Sequence, residues 1–299
     1  MARVSAGLVV NRVLGVIGGS GIYDPPGLER VESLRVDTPF GEPSDAIVRG
    51  VLGTTTLLFL PRHGRGHPIP PHAINYRANI CALKKLGAEQ VVSLSAVGSM
   101  QEHIHPGDVV IVDQYCDLTK RRISTFFERG AAAHVGFSDP VDAALADALA
   151  LAAERTGARV HRGGTYVCIE GPQFSTRAES LIYRSWGVSV IGMTALPEAK
   201  LAREAELPYA TLALATDYDC WHQSAEPVTV EAVVAVLKQN STLARQTIAE
   251  LAKALPDPAL SPASRALENA LITAPGSITA EARAELGWLI DRYLEKGAA

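Results

Sequence analysis

The feature that most constrains this chain is a series of apolar runs of strand length, each stopping at glycine, hydroxyl or charged residues. In one of them Leu212-Ala213-Leu214-Ala215 leads into Thr216-Asp217-Tyr218-Asp219. Continuous rather than alternating apolarity predicts a strand buried on both faces, as in a sheet of parallel strands covered by helices. Ligands of such sheets sit in the crevice beyond the carboxyl ends of the strands. The run therefore predicts two carboxylates, Asp217 and Asp219, at a crevice. A strand followed by a helix-capping aspartate is the plainer alternative, and the other strand ends decide between the two.

Those ends carry anion donors. Residues 13–17 run into Gly18-Gly19-Ser20-Gly21, where the backbone can approach a ligand closely and the Ser20 hydroxyl can hold a phosphate. The glycines do not match the dinucleotide fingerprint, and no Gly-Lys-Ser/Thr follows, so neither a Rossmann cofactor nor a P-loop nucleotide is supported. Residues 46–52 and 54–60 read as a hairpin whose second strand ends in Pro61-Arg62-His63-Gly64-Arg65. There Arg62 offers a planar fork for phosphate oxygens and His63 a second donor. Residues 91–97 add the Ser95 hydroxyl and the Ala96 N–H, and residues 188–192 end in Met193 and Thr194. Residues 165–169 lead into Glu170-Gly171-Pro172-Gln173-Phe174-Ser175, where Phe174 can stack on a planar base. Any one of these stretches read alone is a turn, a solvated loop or a helix cap. Their convergence predicts a site for a small anion beside an aromatic and two acids.

The rest of the chain fits one α/β domain with a central mixed sheet flanked by helices. Helices are expected over residues 71–86, from Asp139 as cap to about Gly157, after Ser175 or Thr176, after Pro197 and over 228–254. Shorter helical segments are expected at 268–272 and 280–296. Residues 115–139, with Arg121, Arg122, Phe126, Phe127 and His134, read as a long functional loop or an oligomer contact. The expected organisation is an extension over 1–12, the main domain over 13–279, and a C-terminal helix over 280–299 packing on its own or a neighbouring subunit.

The net charge of −4 argues against a nucleic-acid surface and for a small anionic ligand. Cys81, Cys116, Cys168 and Cys220 lack metal-ligand or disulfide spacing, so no metal is expected and the cytoplasm is the expected location. No apolar run reaches membrane-spanning length, and the N-terminal apolar patch is too short for a signal peptide.

Together, Gly18-Gly19-Ser20-Gly21, Asp37-Thr38-Pro39-Phe40-Gly41, Arg62-His63-Gly64-Arg65, Asn75-Tyr76-Arg77-Ala78-Asn79, Glu170-Gly171-Pro172-Gln173-Phe174, Gly192-Met193-Thr194 and Thr216-Asp217-Tyr218-Asp219-Cys220-Trp221 resemble the S-methyl-5′-thioadenosine phosphorylases of the trimeric purine nucleoside phosphorylase family. The likeness runs in order from residue 13 to the C-terminal helices. It implies a purine nucleoside phosphorylase-like fold, a homotrimer, and phosphorolysis of S-methyl-5′-thioadenosine, with inorganic phosphate as co-substrate and no cofactor. Phosphate would be held by Ser20, Arg62, His63, Ser95, Ala96 and Thr194. Phe174 and Met193 would flank the base and ribose, and Ser175, Asp217 and Asp219 would meet the adenine edge. Val230, Val233 and, from a neighbouring subunit, His134 and a residue of the C-terminal helix would line the methylthio pocket. Asp217, helped by partial burial and the nearby Asp219, would supply or share the proton that neutralises the departing adenine at N7, where 6-oxopurine enzymes of the family typically carry Asn. The family often has Thr where this chain has Ser20 and Ser95. Activity on methylthioinosine or another purine nucleoside, or binding without turnover, are the alternatives.

Overall fold

In the computed structural model, residues 11–19, 27–222 and 230–294 are described, with backbone alone at 230–235 and 237–239. Ser20 and the side chains of Val230 and Val233, all expected at the site, lie outside the described residues.

In chain order the strands are β1 (Arg12–Gly18), β2 (Glu29–Leu34), β3 (Ile47–Leu52), β4 (Thr55–Pro61), β5 (Gln90–Ser99), β6 (Val109–Ile111), β7 (Gln114–Leu118), β8 (Val160–Arg162), β9 (Thr165–Ile169), β10 (Val190–Gly192) and β11 (Tyr209–Asp217). The helices are α1 (Tyr76–Lys85), α2 (Ala143–Arg155), α3 (Arg177–Ser185), α4 (Ala195–Glu204), α5 (Val230–Leu251) and α6 (Ala280–Leu294). Among the described residues the strands form one mixed sheet in the order β2-β3-β4-β1-β5-β10-β9-β7, with β11 also on β5, and β6 and β8 beyond it.

The long β5 organises this sheet. Its first half pairs in parallel with β1, from Leu14 opposite Gln90 to Ile17 opposite Ser93. Along its length it pairs in parallel with β11, whose register shifts between Ala215 and Asp217 so that Asp217 lies opposite Gly98. At its far end β10 runs antiparallel, with Ile191 opposite Gly98, which brings the residues after β10 back along β5 toward Ser95.

Burial explains the apolar runs. Val16, Leu57, Phe59, Val92, Leu212 and Leu214 pack with Leu145, Leu149, Ile248 and Leu251 of α2 and α5. Their neighbours Ile17, Leu58, Leu60, Val91 and Ala213 belong to the other cluster, with residues of α1, α4 and α6. With helices on both faces, adjacent residues of one strand are buried alike. In α6, Leu286, Leu289 and Ile290 join the second of these clusters, and Trp288 meets Phe126 edge to face at 5.4 Å. Tyr293 and Arg292 both bond Glu206, so this helix packs on its own chain.

Two local expectations give way to tertiary contacts. The cap of α2 is Asp142, which accepts from the Leu145 N–H at 2.8 Å, rather than Asp139. Asp142 also accepts a hydroxyl bond from Ser261, which ties the cap to the C-terminal region. Residues 268–272 form turns and not a helix, because the Ile272 N–H donates to the Ala132 carbonyl and Leu271 bridges Ala133.

Candidate active site

Two hydrogen-bonded clusters stand at strand ends, one around Arg62 and one around Asp217. Arg62 follows β4 and is almost wholly buried, as is Glu198 of α4. Arg62 Nε and Nη2 donate to the two oxygens of Glu198 at 2.8 and 3.0 Å. Nη1 donates to the Leu94 carbonyl at 3.0 Å, and Nη2 donates to Ser93 Oγ at 2.7 Å and the Ile17 carbonyl at 3.3 Å. Tyr209 Oη donates to Glu198 as well, at 2.9 Å. Burial opposes the charge of Arg62, but the field of Glu198 and its hydrogen bonds keep the guanidinium protonated beyond its usual range. Of the five guanidinium hydrogens, only one on Nη1 is left outside these bonds. The expected phosphate fork is therefore mostly spent on joining β1, β4, β5 and α4.

His63 differs from expectation in a similar way. Its Nδ1 lies 2.8 Å from the Ile69 carbonyl, which can only accept, so Nδ1 carries the proton and Nε2 presents a lone pair. Burial, then the charge of Arg62, pull its pKa down to about 4. The imidazole is neutral at pH 7 and accepts at Nε2 where a donor was expected.

Ser95 and Thr194 meet as the antiparallel course of β10 requires, their hydroxyls 3.2 Å apart. Tyr166 Oη lies 3.0 Å from Ser95 Oγ, and the Thr194 N–H points to it at 3.5 Å. A side chain on Gly192 would strike this phenol, its Cβ falling 2.0 Å from the oxygen, so glycine is required there. Beside Ser95, Ala96 is exposed.

The acidic cluster is built on β11 and α3. Asp217 accepts from Thr216 Oγ1 at 2.7 Å and from the Asp219 N–H at 2.8 Å. Asp219 has a positive φ of 50°, a conformation Asp tolerates better than most residues, and its carboxylate accepts from Ser180 Oγ at 2.5 Å. Burial raises the Asp219 carboxyl against the Ser180 hydrogen bond, and the charge of Asp217 pushes the same way. Gly98 makes the room: a Cβ there would sit 3.1 Å from Asp217 Oδ1 and 3.2 Å from the Asp219 Cβ.

Phe174 is 63% exposed, and the Ser175 hydroxyl is buried without a hydrogen-bond partner among the described residues. Both precede α3, which Thr176 caps in a reciprocal box with Glu179. Met193 packs its sulfur against Gly171, and its carbonyl accepts from Arg122 at 2.7 Å. His134 is exposed on the loop before α2 and is not drawn into either cluster; its N–H donates to the Ala270 carbonyl. Glu198, Ser180 and Tyr166 were not expected at the site, and Arg122 was expected only within a functional loop or oligomer contact. The one local signal among them is Glu198, a lone acid in the apolar stretch Leu196-Pro197-Glu198-Ala199.

The chain as a whole is similar to known proteins. The profile of the phosphorylase superfamily matches residues 13–253. The chain is 53% identical over 286 residues to an S-methyl-5′-thioadenosine phosphorylase of Geobacter sulfurreducens, covering 95% of this chain and 100% of that protein. It is similar to the crystal structure of a methylthioadenosine phosphorylase from an Antarctic soil metagenomic library, with TM-score 0.88, 47% identity, and 93% and 99% of the two chains covered. A methylthioadenosine phosphorylase from Schistosoma mansoni in complex with adenine matches with TM-score 0.77 and 38% identity, over 81% of this chain and 91% of that one.

Proposed function

The chain belongs to the phosphorylase superfamily, on its S-methyl-5′-thioadenosine phosphorylase branch, and on that footing we propose that it splits S-methyl-5′-thioadenosine with phosphate into adenine and 5-methylthioribose 1-phosphate. It is then a pentosyltransferase of purine and methionine salvage. The observation that carries the reading is β5, which sets the Ser95–Thr194 hydroxyl pair at one point and the space for Asp217 at Gly98. That separation is roughly 10 Å of strand, a span suited to a nucleoside with phosphate at one end and base at the other.

Phosphate would lie against the Ser95 and Thr194 hydroxyls, the Ala96 N–H, Ser20, His63 and the remaining Nη1 hydrogen of Arg62. A dianion beside His63 favours its protonated form, so phosphate uptake and protonation of Nε2 go together. A phosphate oxygen bonds to the anomeric carbon as the bond from that carbon to adenine N9 breaks, and the electron pair leaves with the base. Asp217 supplies or shares the proton that neutralises N7. The phosphate charge stabilises the cationic sugar, and the fixed hydroxyls hold it in line. Asp217 accepting from the 6-amino group selects adenine, with Asp219 and the unpartnered Ser175 hydroxyl completing the edge contacts. Phe174 stacks on the base, and Met193 flanks the ribose.

We place the enzyme in the cytoplasm as a homotrimer, in which His134 of a neighbouring subunit joins Val230 and Val233 around the methylthio group. The exposed Leu181, Ile182 and Trp186 beside the base loop support a subunit contact there, and the four unpaired cysteines suit a reducing compartment. Chromatographic detection of adenine from S-methyl-5′-thioadenosine, with and without phosphate, tests the reading. Sedimentation at a mass of three chains of 31.7 kDa tests the assembly.

A further inference from the structure

Arg122 stands in the irregular segment after β7, yet its side chain is 1% exposed. Its Nη1 donates to the carbonyls of Met193 at 2.7 Å and Leu196 at 2.6 Å, and to Tyr76 Oη at 2.9 Å. Its Nη2 donates to the carbonyls of Glu170 at 2.6 Å and Ile169 at 3.3 Å. Nε donates to Glu170 Oε1 at 3.0 Å, while the other oxygen of that carboxylate accepts the N–H groups of Lys120 and Arg121. One planar fork thus joins the end of β9, the end of β10 and the start of α4, and its ion-pair partner closes the loop that carries it. A lysine has three donors on one tetrahedral nitrogen and cannot span these acceptors from a single plane.

The tied backbone is the backbone of the nucleoside half. Glu170 begins the loop that presents Phe174 and Ser175, and Met193 is held by its carbonyl. Gly171 lies so close to the Met193 sulfur that a Cβ there would fall 2.5 Å from it, so the spacing of the two strand ends is set tightly. The phosphate half has side-chain bonds of its own: Thr194, though it lies between the two carbonyls that Arg122 Nη1 holds, bonds Ser95 and Tyr166, and Arg62 bonds Glu198.

We propose that Arg122 is a positioning residue for the nucleoside, fixing the distance between the Met193 carbonyl and the Phe174–Ser175 loop without touching phosphate. The inference rests on the phosphorolysis reading and deepens it. Its test is the Arg122→Lys variant in steady-state phosphorolysis, varying each substrate in turn, with adenine affinity measured by calorimetry. The expected result is a rise of tenfold or more in KM for S-methyl-5′-thioadenosine and a matching loss of adenine affinity, with the phosphate KM within twofold of wild type. Equal losses for both substrates, or an unchanged nucleoside KM, would overturn it. Should Arg122→Lys fail to fold, Glu170→Gln keeps the side-chain shape but removes the ion pair and turns one of its two accepting edges into a donor. It should raise the nucleoside KM two- to fivefold in the same selective way, and an unselective or absent effect again overturns the proposal. Wild-type protein that releases no adenine would contradict the phosphorolysis reading itself, whereas an active wild type with an indifferent Arg122→Lys contradicts only the positioning role.

Discussion

The proposed phosphate half and the proposed base half of the site are built in opposite ways. Around Arg62 nearly every polar group is buried and already bonded within the fold: Arg62 to Glu198, Ser95 to Thr194 and Tyr166, His63 to Ile69. Around Asp217 the groups hang on turns, with Asp219 at positive φ, the Ser175 hydroxyl unpartnered and Phe174 exposed. On the proposed reading a small symmetric anion meets a basin formed in advance by the sheet, and a planar base with a distinctive edge meets groups that gain partners when it binds. Preorganisation thus sits where charge develops in the transition state, and open valences sit where specificity is read.

Substitutions on the two sides should therefore fail differently. Asp217→Asn removes the proposed N7 proton donor and is expected to lower kcat/KM for S-methyl-5′-thioadenosine about 10²- to 10⁴-fold, with the melting temperature little changed; unaltered turnover in the same assay would remove Asp217 from the mechanism. Glu198→Ala acts through stability, because it leaves Arg62 buried without its counter-ion. A loss of about 3–5 kcal/mol is expected, a fall in Tm of roughly 10 °C for a chain of this size, read by thermal unfolding.

The same contrast appears in pH dependence. His63 is held at about 4 in the fold, against about 6.5 in the unfolded chain, so the unfolded state takes up the proton first on acidification. Its contribution to stability is present above pH 6.5 and is lost as the pH falls toward 4. In phosphate-free buffer the denaturation midpoint should drop across this window, and His63→Gln should flatten the drop; identical slopes for the two proteins would contradict the neutral buried imidazole. Smallest of all in stability is Phe174→Ala. Its side chain stands in solvent, so unfolding should shift by no more than about 0.5 kcal/mol, while the nucleoside KM rises several-fold.

Legibility in the sequence follows the same divide between local and distant partners. The strands were readable because burial on both faces writes continuous apolar runs, and their ends were readable because glycine, hydroxyl and acidic residues interrupt those runs. Asp217 and Asp219 come together as their spacing implied, and Ser95 meets Thr194. What Arg62 does was not readable, since Glu198 lies 136 positions away and its pairing writes no local pattern. The same holds for Ser180 beneath Asp219 and for Arg122 under Met193. The expected helix at 268–272 yields to backbone bonds with residues 132–134, which lie on a distant loop.

The central claim is that one site brings phosphate to the sugar of an adenine nucleoside and protonates the base as it leaves. The most direct test is release of adenine from S-methyl-5′-thioadenosine at neutral pH, with phosphate as the only variable. Adenine appearing together with 5-methylthioribose 1-phosphate, and only when phosphate is present, is the predicted result. No adenine at any phosphate concentration, or the same release without phosphate, would contradict it.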